Sequence, residues 1–175
     1  MGRTDEDLVR ATRAGDVTAF EVLYERYNRR LFGYLLRLVH DRALAEDLLQ
    51  EVFMTVLSSR YQPQPGRLGG FLFKSARNRG LTALRDAERR RAKLEDRAET
   101  EADGSFEANA AERSALNVAL EELEDHDRDA LILKAIGGLT YREIAEVQSV
   151  PEGTVKSRLH GAIRAVRLRF QGSES

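Results

Sequence analysis

The chain has 175 residues, a formal net charge of −1, 42% hydrophobic and 33% charged residues, and neither cysteine nor tryptophan. The missing cysteines exclude a disulfide framework, thiolate metal sites and a cysteine nucleophile. No apolar run approaches the roughly 20 residues that cross a bilayer, and the polar, acidic start from Met1 to Asp7 carries no signal-peptide pattern, so a cytoplasmic protein without membrane insertion is expected.

Good helix formers dominate and only three prolines occur, so the expected fold class is all-α. Residues 16–91 read as helices. Thr18 and Glu21 have capping-box spacing, and Phe20, Leu23, Tyr24, Tyr27, Leu31, Leu35 and Leu38 follow at helical intervals as a core stripe. A second helix is predicted from about Arg42 to Leu57, with Leu44, Leu48, Val52 and Val56 spaced by four and Leu49 and Phe53 widening the stripe. Its polar face gathers Asp47, Gln50 and Glu51. Ser58 to Gly70 holds two prolines and three glycines, which is loop chemistry. A third long helix follows from about Phe71 into Arg89-Arg90-Arg91, carrying Phe71, Lys74, Arg77, Asn78, Thr82 and Arg85. Aromatic and basic side chains interleaved in this way suit single-stranded DNA, where bases stack on rings and cations track phosphates.

Charge is segregated along the chain. Arg77 to Lys93 is strongly basic, Glu95 to Glu107 is acidic, and Lys156 to Arg169 is basic again. The acidic stretch loses apolar periodicity and contains Gly104 and Ser105, so a flexible linker is expected there. Periodicity returns at Leu116, Leu120 and Leu123, continues through Leu131, Leu133 and Ile136, and breaks at Gly137-Gly138.

The densest signal follows that break. Thr140 and Glu143 have capping-box spacing and start a short helix ending near Gln148. Ser149-Val150-Pro151 is a turn, with the capping spacing repeated at Ser149 and Glu152. The next helix faces inward with Val155, Leu159, Ile163 and Val166 and outward with Thr154, Lys156, Ser157, Arg158 and His160. Two helices across a tight turn make a helix-turn-helix, whose second helix meets base edges with its N-terminal half. Arg and Lys suit guanine and Ser is adaptable, while Arg164, Arg167 and Arg169 are placed for phosphates.

The block from Gly137 to Leu159 resembles the −35-binding domain of sigma-70 factors of the extracytoplasmic-function (ECF) branch. Leu44 to Phe53 is similar to that family's core-polymerase-binding helix, and Phe71 to Asn78 to its −10-element helix, in the expected order over residues 5–170. The resemblance implies a two-domain protein: residues 1–93 like sigma region 2, an acidic linker at 94–111, and residues 112–175 like region 4. It implies core binding by Asp47, Gln50, Glu51 and Phe53, −10 contacts from Phe71, Lys74, Arg77, Asn78 and Arg85, and −35 contacts from Tyr141, Arg142, Thr154, Lys156, Ser157, Arg158, His160 and Arg164. The implied partners are the β′ clamp helices and β flap of bacterial core RNA polymerase, promoter DNA and an anti-sigma factor. Phe71, Ser75, Thr82, Glu124 and Gly161 depart from the common family pattern.

A stand-alone helix-turn-helix regulator would leave the Asp47/Gln50/Glu51 face unexplained, and a decoy would show eroded DNA-contacting residues, whereas Lys156, Ser157 and Arg158 are intact. His40, His126 and His160 are scattered and no nucleophile, metal or phosphate-loop motif occurs. No enzyme, cofactor, metal or small-molecule substrate is expected.

Overall fold

The computed structural model describes residues 2–58, 61–96 and 115–171, which form helices and turns only. The helices are α1 (Asp5–Arg13), α2 (Val17–Val39), α3 (Arg42–Ser58), α4 (Leu68–Glu95), α5 (Ala115–Glu121), α6 (Asp125–Ala135), α7 (Tyr141–Gln148) and α8 (Glu152–Gln171). The first four form one bundle and the last four a second, so the all-α, two-domain expectation holds. Helix α4 runs to Glu95, past position 94 where a linker was expected to begin. The remainder of that linker lies outside the described residues.

Helix α1 was missed from sequence because its opening is acidic and its apolar pair short. Thr4 caps it, accepting from the Asp7 amide at 3.2 Å, and Asp5, Glu6 and Asp7 fill the first turn, where the helix dipole favours anions. Leu8 and Val9 are fully buried. Arg13 fastens its other end, donating to the carbonyl oxygens of Val56 at the end of α3 and Tyr61 in the following loop.

Helix α2 starts earlier than the Thr18/Glu21 spacing suggested. Its cap is Asp16, whose carboxylate accepts from the Ala19 amide at 3.1 Å and from the Thr18 hydroxyl at 2.6 Å. Helix α4 likewise begins at Leu68, with Gly69 and Gly70 inside its first turn. A Cβ on Gly69 would meet the Tyr27 ring at 3.6 Å, an ordinary contact distance.

The second bundle ends in the predicted helix-turn-helix. The Thr140 hydroxyl accepts from the Glu143 amide at 3.2 Å, and the Glu143 carboxylate accepts from the Thr140 amide at 2.7 Å. This capping box settles two of the four amides that a helix start leaves without partners. Ser149 does not cap α8, contrary to the repeated spacing. It closes α7 from a left-handed conformation at φ 56°, its amide returning to Ala145. The Pro151 carbonyl instead accepts the first amides of α8, from Thr154 and Val155.

One continuous hydrophobic cluster runs from Leu8 in α1 to Leu159 in α8. The bundles meet where α4 packs on α7 and α2 on α6. Gly33 and Gly137 permit the approach. A Cβ on Gly33 would lie 3.1 Å from Ile136 Cγ2, and one on Gly137 would lie 2.5 Å from the Leu133 carbonyl oxygen and 3.1 Å from the Phe73 ring.

Gly80 and Gly137 should therefore respond differently to alanine. A Cβ at Gly80 meets the free end of the half-buried Leu38 side chain, which can turn, and a helix-interior alanine gains about 0.5–1 kcal/mol over glycine. Gly137 meets fixed backbone. Urea unfolding should find Gly137→Ala destabilised by about 1–3 kcal/mol and Gly80→Ala within about 1 kcal/mol of the parent.

Asp16 sets an acid limit on the α2 cap. Hydrogen bonds from Thr18, Arg3 and the Ala19 amide hold its pKa down from 3.8 to about 2. A carboxyl whose folded pKa lies below its unfolded value stabilises the fold above the unfolded value and loses that contribution as pH falls through the folded one. The stability difference between parent and Asp16→Asn should stay nearly constant down to about pH 4.5 and then fall progressively, to be lost by about pH 1, in urea titrations.

Candidate polymerase and nucleic-acid interface

Three surfaces gather the residues singled out in the sequence. On α3, Asp47, Gln50 and Glu51 are exposed together around a depression of about 430 Å³ shared with Met54, Thr55, Ser58 and Arg79. Arg79 reaches over from α4 and donates to Glu51 and Thr55, both at 2.6 Å. Glu51 is thereby half of a fixed ion pair, while Asp47 remains an open anion. Phe53 does not belong to this face: it is 3% exposed and packs its ring edge-on to Phe20 and tilted against Tyr24. The apolar side chain the surface presents is Met54, at 60% exposure, one position on in the helix. Sequence spacing had put Phe53 on the inward stripe as well, and burial decides between the two roles.

The second surface lies along α4. Phe71 is half-buried and stacks on Tyr61 with ring centroids 4.1 Å apart. Beside them opens a groove of about 460 Å³ lined by Tyr61, Gln62, Gln64, Arg67, Phe71 and Lys74. Paired rings, amides and two cations around a shallow groove are the means by which a base can be stacked and its phosphates tracked. Tyr61 and Arg67 went unmarked in the sequence because they sit in the loop before α4, where periodicity offers no guide. Lys74, Asn78 and Arg85 are exposed further along the helix. Arg77 is set apart, being turned toward α6.

The third surface is the helix-turn-helix. Lys156, Ser157, His160 and Arg164 are exposed on α8, with Thr154 half-buried beside them. Arg142, on α7, is exposed and lies 3.7 Å from Glu146. Tyr141 is half-buried, with the Lys134 ammonium over its ring. Arg158 differs from its neighbours: it bends back and donates to the Gln148 side chain at 2.8 Å.

Gln148 leads to the least expected feature, the Asp129 carboxylate between the bundles. One of its oxygens accepts from the Tyr34 hydroxyl at 2.8 Å. The other accepts from Arg77 Nε and from Gln148 Nε2, both at 2.8 Å. The Asp129 side chain is 11% exposed. Burial, then Asp129, raises the Tyr34 hydroxyl well above its ordinary pKa, so it remains a proton donor. The junction is reinforced by Arg30, donating to the Gly137 carbonyl at 3.0 Å, and by an Arg67–Glu146 ion pair at 2.6 Å.

Among the described residues no group of His, Asp and Glu is arranged to hold a metal ion, and no helix is long and apolar enough to cross a membrane.

Comparison with known proteins agrees with this layout. Residues 23–90 match the family profile Sigma-70 region 2, and residues 113–166 match Sigma-70, region 4. RNA polymerase sigma factor CarQ of Myxococcus xanthus is 33% identical, over 89% of this chain and 91% of its own. ECF RNA polymerase sigma factor SigL of Mycobacterium tuberculosis is also 33% identical, over 93% of this chain and 95% of its own. Among solved structures, CnrH in complex with the cytosolic domain of CnrY superposes with a TM-score of 0.68 at 19% identity, covering 98% of this chain and 99% of that one. The sigma factor RpoE of Bartonella quintana, in complex with the anti-sigma factor NepR, gives the same score at 23% identity, covering 87% and 96%. Those two likenesses are of fold, and the sequence relatives carry the assignment. With both sigma-70 regions in order and relatives matching over nearly their whole length, the chain belongs to the sigma-70 family of RNA polymerase sigma factors, in its ECF branch.

Proposed function

We propose that this sigma factor binds core RNA polymerase through the α3 face, reads the −35 element as duplex with α8, and captures the opened −10 strand along α4. Residues 1–93 would act as the region 2 domain and 112–175 as the region 4 domain. The observation that carries the reading is the exposed row of Lys156, Ser157 and His160 on the N-terminal half of α8, behind a capped α7 and a left-handed turn. A recognition helix that follows a helix capped at both ends is set in place by that turn and presents its side chains to a major groove. Exposed Arg164 would add phosphate contacts that position rather than specify.

The groove beside Phe71 and Tyr61 supports the −10 role. A base flipped from the stack costs a few kcal/mol, and stacking on an aromatic ring returns about 1–3 kcal/mol per base. On α3, Asp47 and Gln50 with the apolar Met54 form a small anionic face around a methionine, suited to a basic partner helix. An anti-sigma factor of the kind bound to the Bartonella quintana RpoE is a further partner we assign to this chain.

Transcription in vitro with sigma-free core polymerase, over a library of upstream DNA fragments, tests the reading. The chain should start specific transcripts that core alone does not. Asp47→Arg should weaken core binding about tenfold or more through like-charge repulsion, and initiation should fall in step. Lys156→Ala should leave core binding unchanged and lose about 1–3 kcal/mol at the duplex element alone, measured by competition between promoters. Sequence-specific DNA binding with no effect on core polymerase would overturn the proposal.

A further inference from the structure

We infer that Glu6, in α1, is a positioning residue for the choice of base at the −10 element: it fixes the turn from which Gln64 and Arg67 enter the groove beside Phe71. The inference rests on the −10 role proposed above and deepens it. Glu6 acts from a fixed base. Leu8 and Val9 bury the apolar side of α1, and Asp5 accepts from Arg26 at 2.7 Å and from the Tyr27 hydroxyl. Arg13 lies seven positions after Glu6, on the same face of the helix and about 10.5 Å further along its axis. These two side chains take hold of the loop before α4 at opposite ends. Arg13 donates to the Tyr61 carbonyl at 2.8 Å, and Glu6 accepts from the Gly66 amide at 3.1 Å, two residues before α4 begins.

What Glu6 fixes is a peptide plane. Gln64-Pro65-Gly66-Arg67 is a turn closed by the Arg67 amide, which donates to the Gln64 carbonyl at 3.1 Å. Proline at its second position and glycine at its third, with φ 68°, mark it as type II. Types I and II differ in the orientation of the central peptide, here the one that joins Pro65 to Gly66. The Gly66 N–H belongs to that peptide, so a carboxylate that accepts from it selects one orientation over the other. Glu6 is only 9% exposed, which strengthens the bond it receives. Gln64 and Arg67, on either side of the peptide, are exposed and line the groove with Gln62, Phe71 and Lys74. An amide reads a base by donating and accepting at set angles. A turn free to flip would move Gln64 and blur the choice of base, while leaving the stacked rings and the cations in place. Glu6 therefore governs selectivity at the groove more than affinity for it.

Transcription in vitro with core polymerase first identifies a promoter that the parent chain uses and the −10 position at which a base change lowers initiation most. If the parent does not initiate, or no −10 position matters, the −10 reading fails and this inference with it. Two templates that differ only at that position then compete in one reaction. Their ratio is independent of how much of a variant has folded, since unfolded chain lowers both signals alike. Glu6→Leu leaves the Gly66 amide without this acceptor and should reduce the ratio about fivefold or more. Glu6→Gln keeps an acceptor oxygen and should restore most of it. Competition between templates that differ in the −35 element should be unchanged in both. Gly66→Ala has room for its Cβ but disfavours the positive φ, so it should lower the −10 ratio as well. Combined with Glu6→Leu it should lower the ratio little further, because both changes release the same peptide. An unchanged −10 ratio in Glu6→Leu, equal losses in Glu6→Leu and Glu6→Gln, or −35 selectivity lost to the same extent would overturn the inference and leave the −10 reading standing.

Discussion

A carboxylate withdrawn from water must be given hydrogen bonds and an opposite charge, and Asp129 obtains all of them from parts of the chain that are distant in sequence. Tyr34 comes from α2, Arg77 from α4 and Gln148 from α7. That requirement ties the two bundles together, because Tyr34 and Arg77 lie in the first and Asp129 in the second. Around it the apolar contacts of Gly33 with Ile136 and of Gly137 with Phe73 close the seam, and Arg30 and Arg67 pin its edges. A polar centre of this kind contributes little net stability once desolvation is counted. What it provides is register, since sliding either bundle breaks the two hydrogen bonds that Tyr34 and Arg77 give to one residue.

The same arrangement accounts for the charge pattern. The chain is close to neutral overall, yet its cations are grouped on α4 and α8. The carboxylates that balance them include Asp129 and Glu146, carried by the second bundle into contact with the first. Near-neutrality is thus arranged in space as well as in composition, and a change in the bundles' separation alters how much positive charge α4 offers to DNA.

Much of the fold was legible because it is local. Stripes spaced by three and four placed α2 and α3, and the Thr140/Glu143 capping box fixed the start of α7 to the residue. Local signals also misled where two neighbouring residues could serve one purpose: Asp16, two positions before Thr18, is the better cap because a carboxylate accepts from more donors at once. Ser149 has capping spacing but sits in the left-handed turn that closes α7. Phe53 is buried and Met54 presents itself to solvent, a one-residue rotation on a helix that is apolar over more than half its surface. The junction was not legible at all. Asp129 lies among the acidic residues that open α6 and nothing in its neighbourhood separates it from Asp125 or Asp127. Its role is set by side chains contributed from 19 to 95 positions away, and single-sequence periodicity holds no information on such pairings.

The most direct measurement of the central claim, that Asp129 fixes the two bundles in one register, is the distance between spin labels at Glu25→Cys on α2 and Ala165→Cys on α8, both exposed positions, with and without Asp129→Asn. The chain that keeps Asp129 should give one narrow distribution, and Asp129→Asn a broader one. Equal widths in the two would contradict the account.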